Sequence, residues 1–259
     1  MFTPKTERIE SLMADHLTTL KQMEGLLSGN VNMYIDYANI KPWSTKLGWH
    51  VDLKRLKQFL SSFDNIQSVK IYAGTLVGDK ESEDFIKELK SYQYYDIRTK
   101  PVKIMKFPIE AASIPNDSTA IIKQFIKSTL IKKFDIETVE FLNTKFLEMN
   151  KAGIYCIEDR KCNFDVEVGR DMLLDYKSNS IDTYALWSGD SDFADPIEQL
   201  LADGKKVILF ATARRVAREL NDLTKSGLKI FDIQKIREFV CWPKEMKCKR
   251  GPASGVPKL

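Results

Sequence analysis

The segment Ser188 to Phe193, SGDSDF, sets Asp190 and Asp192 directly after the apolar run Tyr184, Ala185, Leu186, Trp187. A second apolar run, Val31 to Ile35, ends in Asp36, and the stretch KCNFDVEVGRD supplies Asp165 and Asp171. Short apolar runs of this kind read as buried strands, and the ends of such strands are where open α/β sheets carry their chemistry. Carboxylates gathered on one sheet edge repel each other unless a hard cation neutralises them. The pattern therefore points to Mg²⁺ or Mn²⁺, which oxygen ligands suit equally, and through the cation to phosphate chemistry.

Taken one at a time, these acids have plainer uses. Asp36, with Asn39 three residues on, can cap the turn after a strand, and Asp165 can cap the helix that follows it. Taken together, Asp36, Asp165, Asp190 and Asp192 are less easily dismissed as caps, and with the family resemblance given below a shared metal site becomes the stronger reading. Asp171 poses a geometric problem. Six residues along a helix rotate a side chain by about 600°, leaving it about 120° from Asp165 and about 9 Å along the axis. A fully helical pair therefore would not share one ion; with Asp165 at the N-cap, its side chain leaves the helical register toward the sheet edge, while Asp171 supports a second metal or orients Lys161 or Arg170. Glu167 and Asp175 read as solvated. The chain has two histidines, His16 and His50, which is poor material for a paired-histidine ribonuclease mechanism and favours a metal-activated water. Neither GxxxxGK[ST] nor GxGxxG occurs, which argues against P-loop and dinucleotide sites.

The elements that would position these residues alternate in type. Strands are predicted near 31–36, 69–75, 96–104, 154–158, 182–188, 206–211 and 228–231, and helices near 52–62, 81–92, 165–177, 194–203 and 214–224. This is the rhythm of a mainly parallel sheet covered by helices on both faces, with right-handed crossovers. It breaks between about 107 and 152, where Asn116 or Asp117 can cap one helix and Asp135 another, so a helical insertion is predicted there. Residues 1–29 hold an amphipathic helix over Thr6 to Leu27, with Ile9, Met13, Leu17, Leu20, Met23 and Leu27 on one face. Docking on its own domain is the expected use. Pairing with a second subunit, with His16 replacing Leu17 in the seam, is the alternative, so monomer and homodimer both remain open.

At 259 residues and 43% hydrophobic content the chain can bury one large α/β core, with a principal domain over 30–240. The formal charge of +4 resides in the tail: within 241–259, Lys244, Lys247, Lys249, Arg250 and Lys258 face only Glu245. Cysteines at 156, 162, 241 and 248 fit neither a zinc ribbon nor a redox pair. With no run long enough to span a bilayer and no apolar centre in the charged N-terminus, the expected setting is cytoplasmic, away from membranes.

Five segments carry a family resemblance: YIDYANI (34–40), IYAGTLVGD (71–79), KCNFDVEVGRDML (161–173), LWSGDSDFADPIEQLLADGKKVILF (186–210) and VARELNDL (216–223). Over roughly residues 31–233 the chain resembles the NYN domain in its LabA-like branch, within the PIN-like nuclease superfamily. That resemblance implies a PIN-like three-layer sandwich whose acidic cluster binds Mg²⁺ or Mn²⁺ and cleaves RNA, with Asp36, Asp165, Asp190 and Asp192 as the metal-binding acids and Asn39 as a polar helper. Lys161 matches the basic residue before the central acid. The departure from the pattern is KCNFD, which places a bulky Phe164 where the family has a tight turn.

Arg214, Arg215 and Arg218, after the strand at 206–211, are candidate contacts to substrate phosphates, with single-stranded RNA as one candidate partner. Two competing functions are carried with the ribonuclease reading. One is a non-catalytic nucleic-acid or protein-binding module of the same fold. The other is a haloacid-dehalogenase-type phosphatase, suggested by GDSDFAD but opposed by Ala38, which stands where that chemistry needs an aspartate.

Overall fold

The computed structural model describes residues 1–212 and 215–242. The chain opens with α1 (Glu7–Met13), whose N-cap Thr6 accepts from the Ile9 backbone, and α2 (Leu17–Leu26), joined by the 3₁₀ turn Ala14–His16. It continues through β1 (Val31–Asp36), α3 (Tyr37–Ile40), α4 (Trp43–Leu47), α5 (Leu53–Leu60), β2 (Ile66–Thr75), α6 (Lys80–Ser91) and β3 (Tyr95–Pro101). A second unit holds β4 (Lys103–Pro108), α7 (Ser128–Ile131), α8 (Ile136–Lys151) and β5 (Cys156–Lys161). The first unit resumes with α9 (Asp165–Ser178), β6 (Thr183–Trp187), α10 (Ala194–Ala202), β7 (Lys206–Ala211), α11 (Arg218–Asp222), β8 (Lys229–Asp232) and α12 (Arg237–Val240).

All six strands of the main sheet run parallel, in the order β3-β2-β1-β6-β7-β8. The central strands are buried throughout, as parallel strands covered on both faces must be. From β1 the chain moves outward to β2 and β3; from β6 it moves the other way, to β7 and β8. The carboxyl ends of β1 and β6 therefore flank a topological switch point, the place where such sheets form their crevice. The two faces differ in chemistry. One receives α5 and α12, where Phe59 stacks on Phe239 at 4.6 Å between ring centroids. The other is unusually polar: Asn32, Tyr34 and Asp36 of β1, Lys70 and Tyr72 of β2, and Arg98 and Lys100 of β3 alternate onto it and are covered by α9.

The N-terminal segment packs on its own domain. Ile9, Leu20, Met23 and Leu27 are buried, and the Arg8 guanidinium donates to Gln58 and to the carbonyl of Phe239 at 2.9 Å. The predicted single helix is interrupted because the 3₁₀ turn advances the register. Leu17 is left half exposed, and His16 takes its place, edge-on to Phe239 at 5.1 Å.

The second unit spans Val102–Cys162. The strand expected at 96–104 is two strands, and the one expected near 154–158 is β5, which leaves the parallel sheet to pair antiparallel with β4. Asp135 caps α8 through the Thr138 backbone, but the helix expected over 121–130 is broken into a 3₁₀ turn and the short α7. The segment before α8 is held by side chains of that helix. Asn143 donates to the carbonyls of Asn116 and Ser118, and Asn150 pins Ala111, Ile109 and Ile154.

Candidate metal centre

Asp36 is the last residue of β1 and only 5% exposed. Its Oδ1 accepts from the Asn39 backbone at 3.2 Å, capping α3, and its Oδ2 accepts from the buried Ser188 hydroxyl at 3.5 Å. Burial pushes this carboxyl up to about 6, and the nearby charges of Asp165 and Asp190 push the same way against the two hydrogen bonds.

The loop after β6 is fixed by backbone contacts. The Gly189 N–H donates to Asn39 Oδ1 at 3.1 Å, and its carbonyl accepts from Ala217 at 3.0 Å. Any side chain at position 189 would run into the backbone carbonyl of Arg215, so glycine is required here for close approach. Asp190 then caps the 3₁₀ turn Ser191–Phe193 through the Asp192 backbone. Asn39 is thus a brace between the two strand ends.

Asp165 lies in the first turn of α9, one residue beyond the N-cap position, which Phe164 occupies. Its backbone N–H donates to Asn163 Oδ1 at 2.9 Å. Carboxylate oxygens of Asp165, Asp190 and Asp192 lie within 4.8 Å of one another. Burial, together with hydrogen bonding and charge from Asp192 and the charge of Asp190, raises the Asp165 carboxyl above the usual carboxylate range, while Asn163 opposes the rise. Four acids so placed are mutually unfavourable by themselves. The donor set is all oxygen, with neither thiolate nor imidazole, and it fits a hard divalent cation.

Asp171 does not join the cluster. It is buried, and its oxygens accept from Tyr72 and Arg98 at 3.0 Å and from Arg170 at 3.0 and 3.2 Å. Burial raises its carboxyl, but the hydrogen bonds of Arg98, Tyr72 and Arg170 outweigh that and hold it below the usual range. Glu167 and Asp175, read from sequence as solvated, are not. Glu167 accepts from Lys100 at 2.6 Å, and Asp175 accepts from Lys70, Tyr34 and Asn32 at 2.5–2.8 Å. Residues 167, 171 and 175 follow the four-residue spacing of one helix face, and each meets a cation from β2 or β3, so α9 is docked by three charged rungs. The four-residue spacing and the alternating Lys70, Arg98 and Lys100 are the signals that were present in the sequence.

Of the expected phosphate contacts, Arg214 lies outside the described residues, as does the tail from 243 onward. Arg215 adjoins the site through its carbonyl against Gly189, and its Nε is buried without a hydrogen-bond partner among the described residues. Arg218 is 92% exposed and faces Asp222 at 3.8 Å across one helical turn, an ordinary solvated pair. Lys161 ends β5 in the second unit.

Residues 115–229 match the NYN domain. The NYN match contains Asp165, Asp190 and Asp192, whereas Asp36 and Asn39 precede it. The chain is 22% identical over 211 residues to the "Low amplitude and bright protein LabA" of Synechococcus elongatus, covering 80% of this chain and 86% of that protein. A crystal structure of a protein of unknown function, VPA0982 of Vibrio parahaemolyticus RIMD 2210633, aligns with a TM-score of 0.48 and 14% identity, over 83% of this chain and 96% of that one. Among the described residues, no helix is long and apolar enough to cross a membrane.

Proposed function

We propose that the protein is a metal-dependent endoribonuclease of the LabA-like branch of NYN domains, acting in the cytoplasm on RNA phosphodiester bonds. The observation that carries this reading is the set of three carboxylates within 4.8 Å at the switch point of the sheet, with Asp36 buried beside them. The NYN match over the segment containing all three supports it.

Asp165, Asp190 and Asp192 would hold Mg²⁺ or Mn²⁺, and Asp36 would complete the negative wall. A bound cation supplies activation of water and neutralises charge on the phosphate. The protein's own residues set the geometry. Asn39 and Gly189 lock the two strand ends together, and Ser188 shields Asp36. The Arg215 guanidinium is the first choice for a contact to a phosphate oxygen, since its backbone already abuts the Asp190 loop. Arg214 is assigned to a flanking phosphate.

A panel of labelled single-stranded RNA, structured RNA, DNA and a phosphomonoester, each incubated with Mg²⁺ or Mn²⁺ and with EDTA, tests the assignment. Metal-dependent internal cleavage of RNA is expected. Binding without cleavage of any member would make the protein a binding module, and hydrolysis of the monoester alone would make it a phosphatase.

A further inference from the structure

We propose that Lys100 is a positioning residue for Asp165, and that the ammonium acts through Phe164 and Glu167, which flank that acid. The inference rests on the reading of Asp165 as a metal ligand and adds a residue that neither the motif blocks nor the acidic cluster contains.

Asp165 occupies a vulnerable place. It sits in the first turn of α9, directly after the chain leaves the second unit at residue 162. First turns carry N–H groups without intrahelical partners, and helix ends fray. A metal ligand there needs an anchor from outside its own helix. Lys100 provides it from β3: its Nζ lies 2.6 Å from Glu167 Oε1 and 4.6 Å from the centre of the Phe164 ring. One cation thus grips the residue before Asp165 and the residue two after it.

Phe164 makes the grip directional. It is 2% exposed, lies against Tyr72 at 5.9 Å, and its carbonyl accepts from Val168 at 2.8 Å to begin the helix. The bulky residue that replaces a tight turn in the KCNFD sequence is therefore the buried stop against which Lys100 closes. Lys100 and Glu167 each keep about a third of their side-chain surface exposed (35% and 28%), so the ion pair adds little to global stability. Its consequence is geometric: it fixes the turn from which Asp165 faces Asp190 and Asp192. The cations of the other two rungs, Arg98 at Asp171 and Lys70 at Asp175, are bonded one and two turns further along α9.

The test is Mn²⁺ binding to the full-length protein by calorimetry, with thermal melting in parallel, for wild type, Lys100→Met, Lys100→Arg and Glu167→Gln. Removing an outer partner of a metal ligand lowers affinity by about 10–100-fold, and that loss is expected for Lys100→Met with a melting temperature close to wild type. Glu167→Gln should weaken binding in the same direction. Lys100→Arg should recover most of the affinity, because a guanidinium can both pair with Glu167 and stack on Phe164. Wild-type affinity in Lys100→Met and Glu167→Gln overturns the proposal, as does a Lys100→Arg protein no better than Lys100→Met. A wild-type protein that binds no Mn²⁺ removes the metal reading itself, and this inference with it.

Discussion

Replacing Asp36 with Asn should stabilise the metal-free protein, and the gain should depend on pH in a defined direction. The Asp36 carboxyl rises on folding from its ordinary 3.8 to about 6, chiefly through burial, with Asp165 and Asp190 adding repulsion. A group whose folded value is raised favours the folded state while protonated and loses that advantage as pH climbs through the folded value. Below about 4 the carboxyl is neutral in both states and costs nothing. Between about 4 and 6 the unfolded chain ionises while the folded carboxyl stays largely protonated, so the cost accumulates, and above 6 the folded protein carries the buried charge and the cost is complete. At 1.36 kcal/mol per unit, a rise of about two units gives roughly 3 kcal/mol. The Asp36→Asn side chain would keep the oxygen that caps α3 and carry no charge. Thermal melts of both proteins in EDTA from pH 4 to 8 should therefore start close together and diverge, with the Asp36→Asn variant higher above pH 6 by roughly 6–12 °C at the full value. Divalent cation should raise the wild-type melting temperature more than that of the variant. A difference that is constant across pH, or a less stable variant at pH 8, would refute the reasoning that Asp36 is a buried charge strained by its neighbours.

Other perturbations follow from packing. A chain starting at Ser28 loses the burial of Ile9, Leu20, Met23 and Leu27. At about 1.5–3 kcal/mol each this is comparable to the whole stability of a domain, so the truncated protein should be insoluble or molten by circular dichroism; a folded monomer would refute the docking role. Gly189→Ala should lower stability by about 1–3 kcal/mol or more and weaken Mn²⁺ binding, because the added carbon meets the Arg215 carbonyl. Wild-type melting and affinity would show that the loop can yield.

The parts of this fold legible in the sequence are those governed by local pattern. The largely apolar runs at β1 and β6 located Asp36 and Asp190, and Asp135 gave the start of α8. What escaped was set by partners distant in the chain. The four-residue spacing puts Asp171 and Asp175 on one helix face, but it does not say that Arg98 and Lys70, 73 and 105 residues away, are what that face meets. The departure of β5 from the parallel sheet likewise depends on β4 as its antiparallel partner, and the hold of Asn143 on the carbonyls of Asn116 and Ser118 is side-chain hydrogen bonding that periodicity does not encode. Phe164 is the instructive case: as sequence it was an irregularity before Asp165, and in the fold it is a buried anchor.

Asp190→Asn separates RNA binding from metal-dependent cleavage by the aspartate cluster. Asparagine preserves the cap of the 3₁₀ turn while removing one carboxylate from the cluster. Incubated with labelled single-stranded RNA and Mg²⁺ or Mn²⁺, the wild-type protein should produce internal fragments that EDTA abolishes, while the Asp190→Asn protein binds the same RNA, melts no lower than wild type and produces none. Equal cleavage by the variant, or no cleavage by the wild type with either ion, would contradict the account.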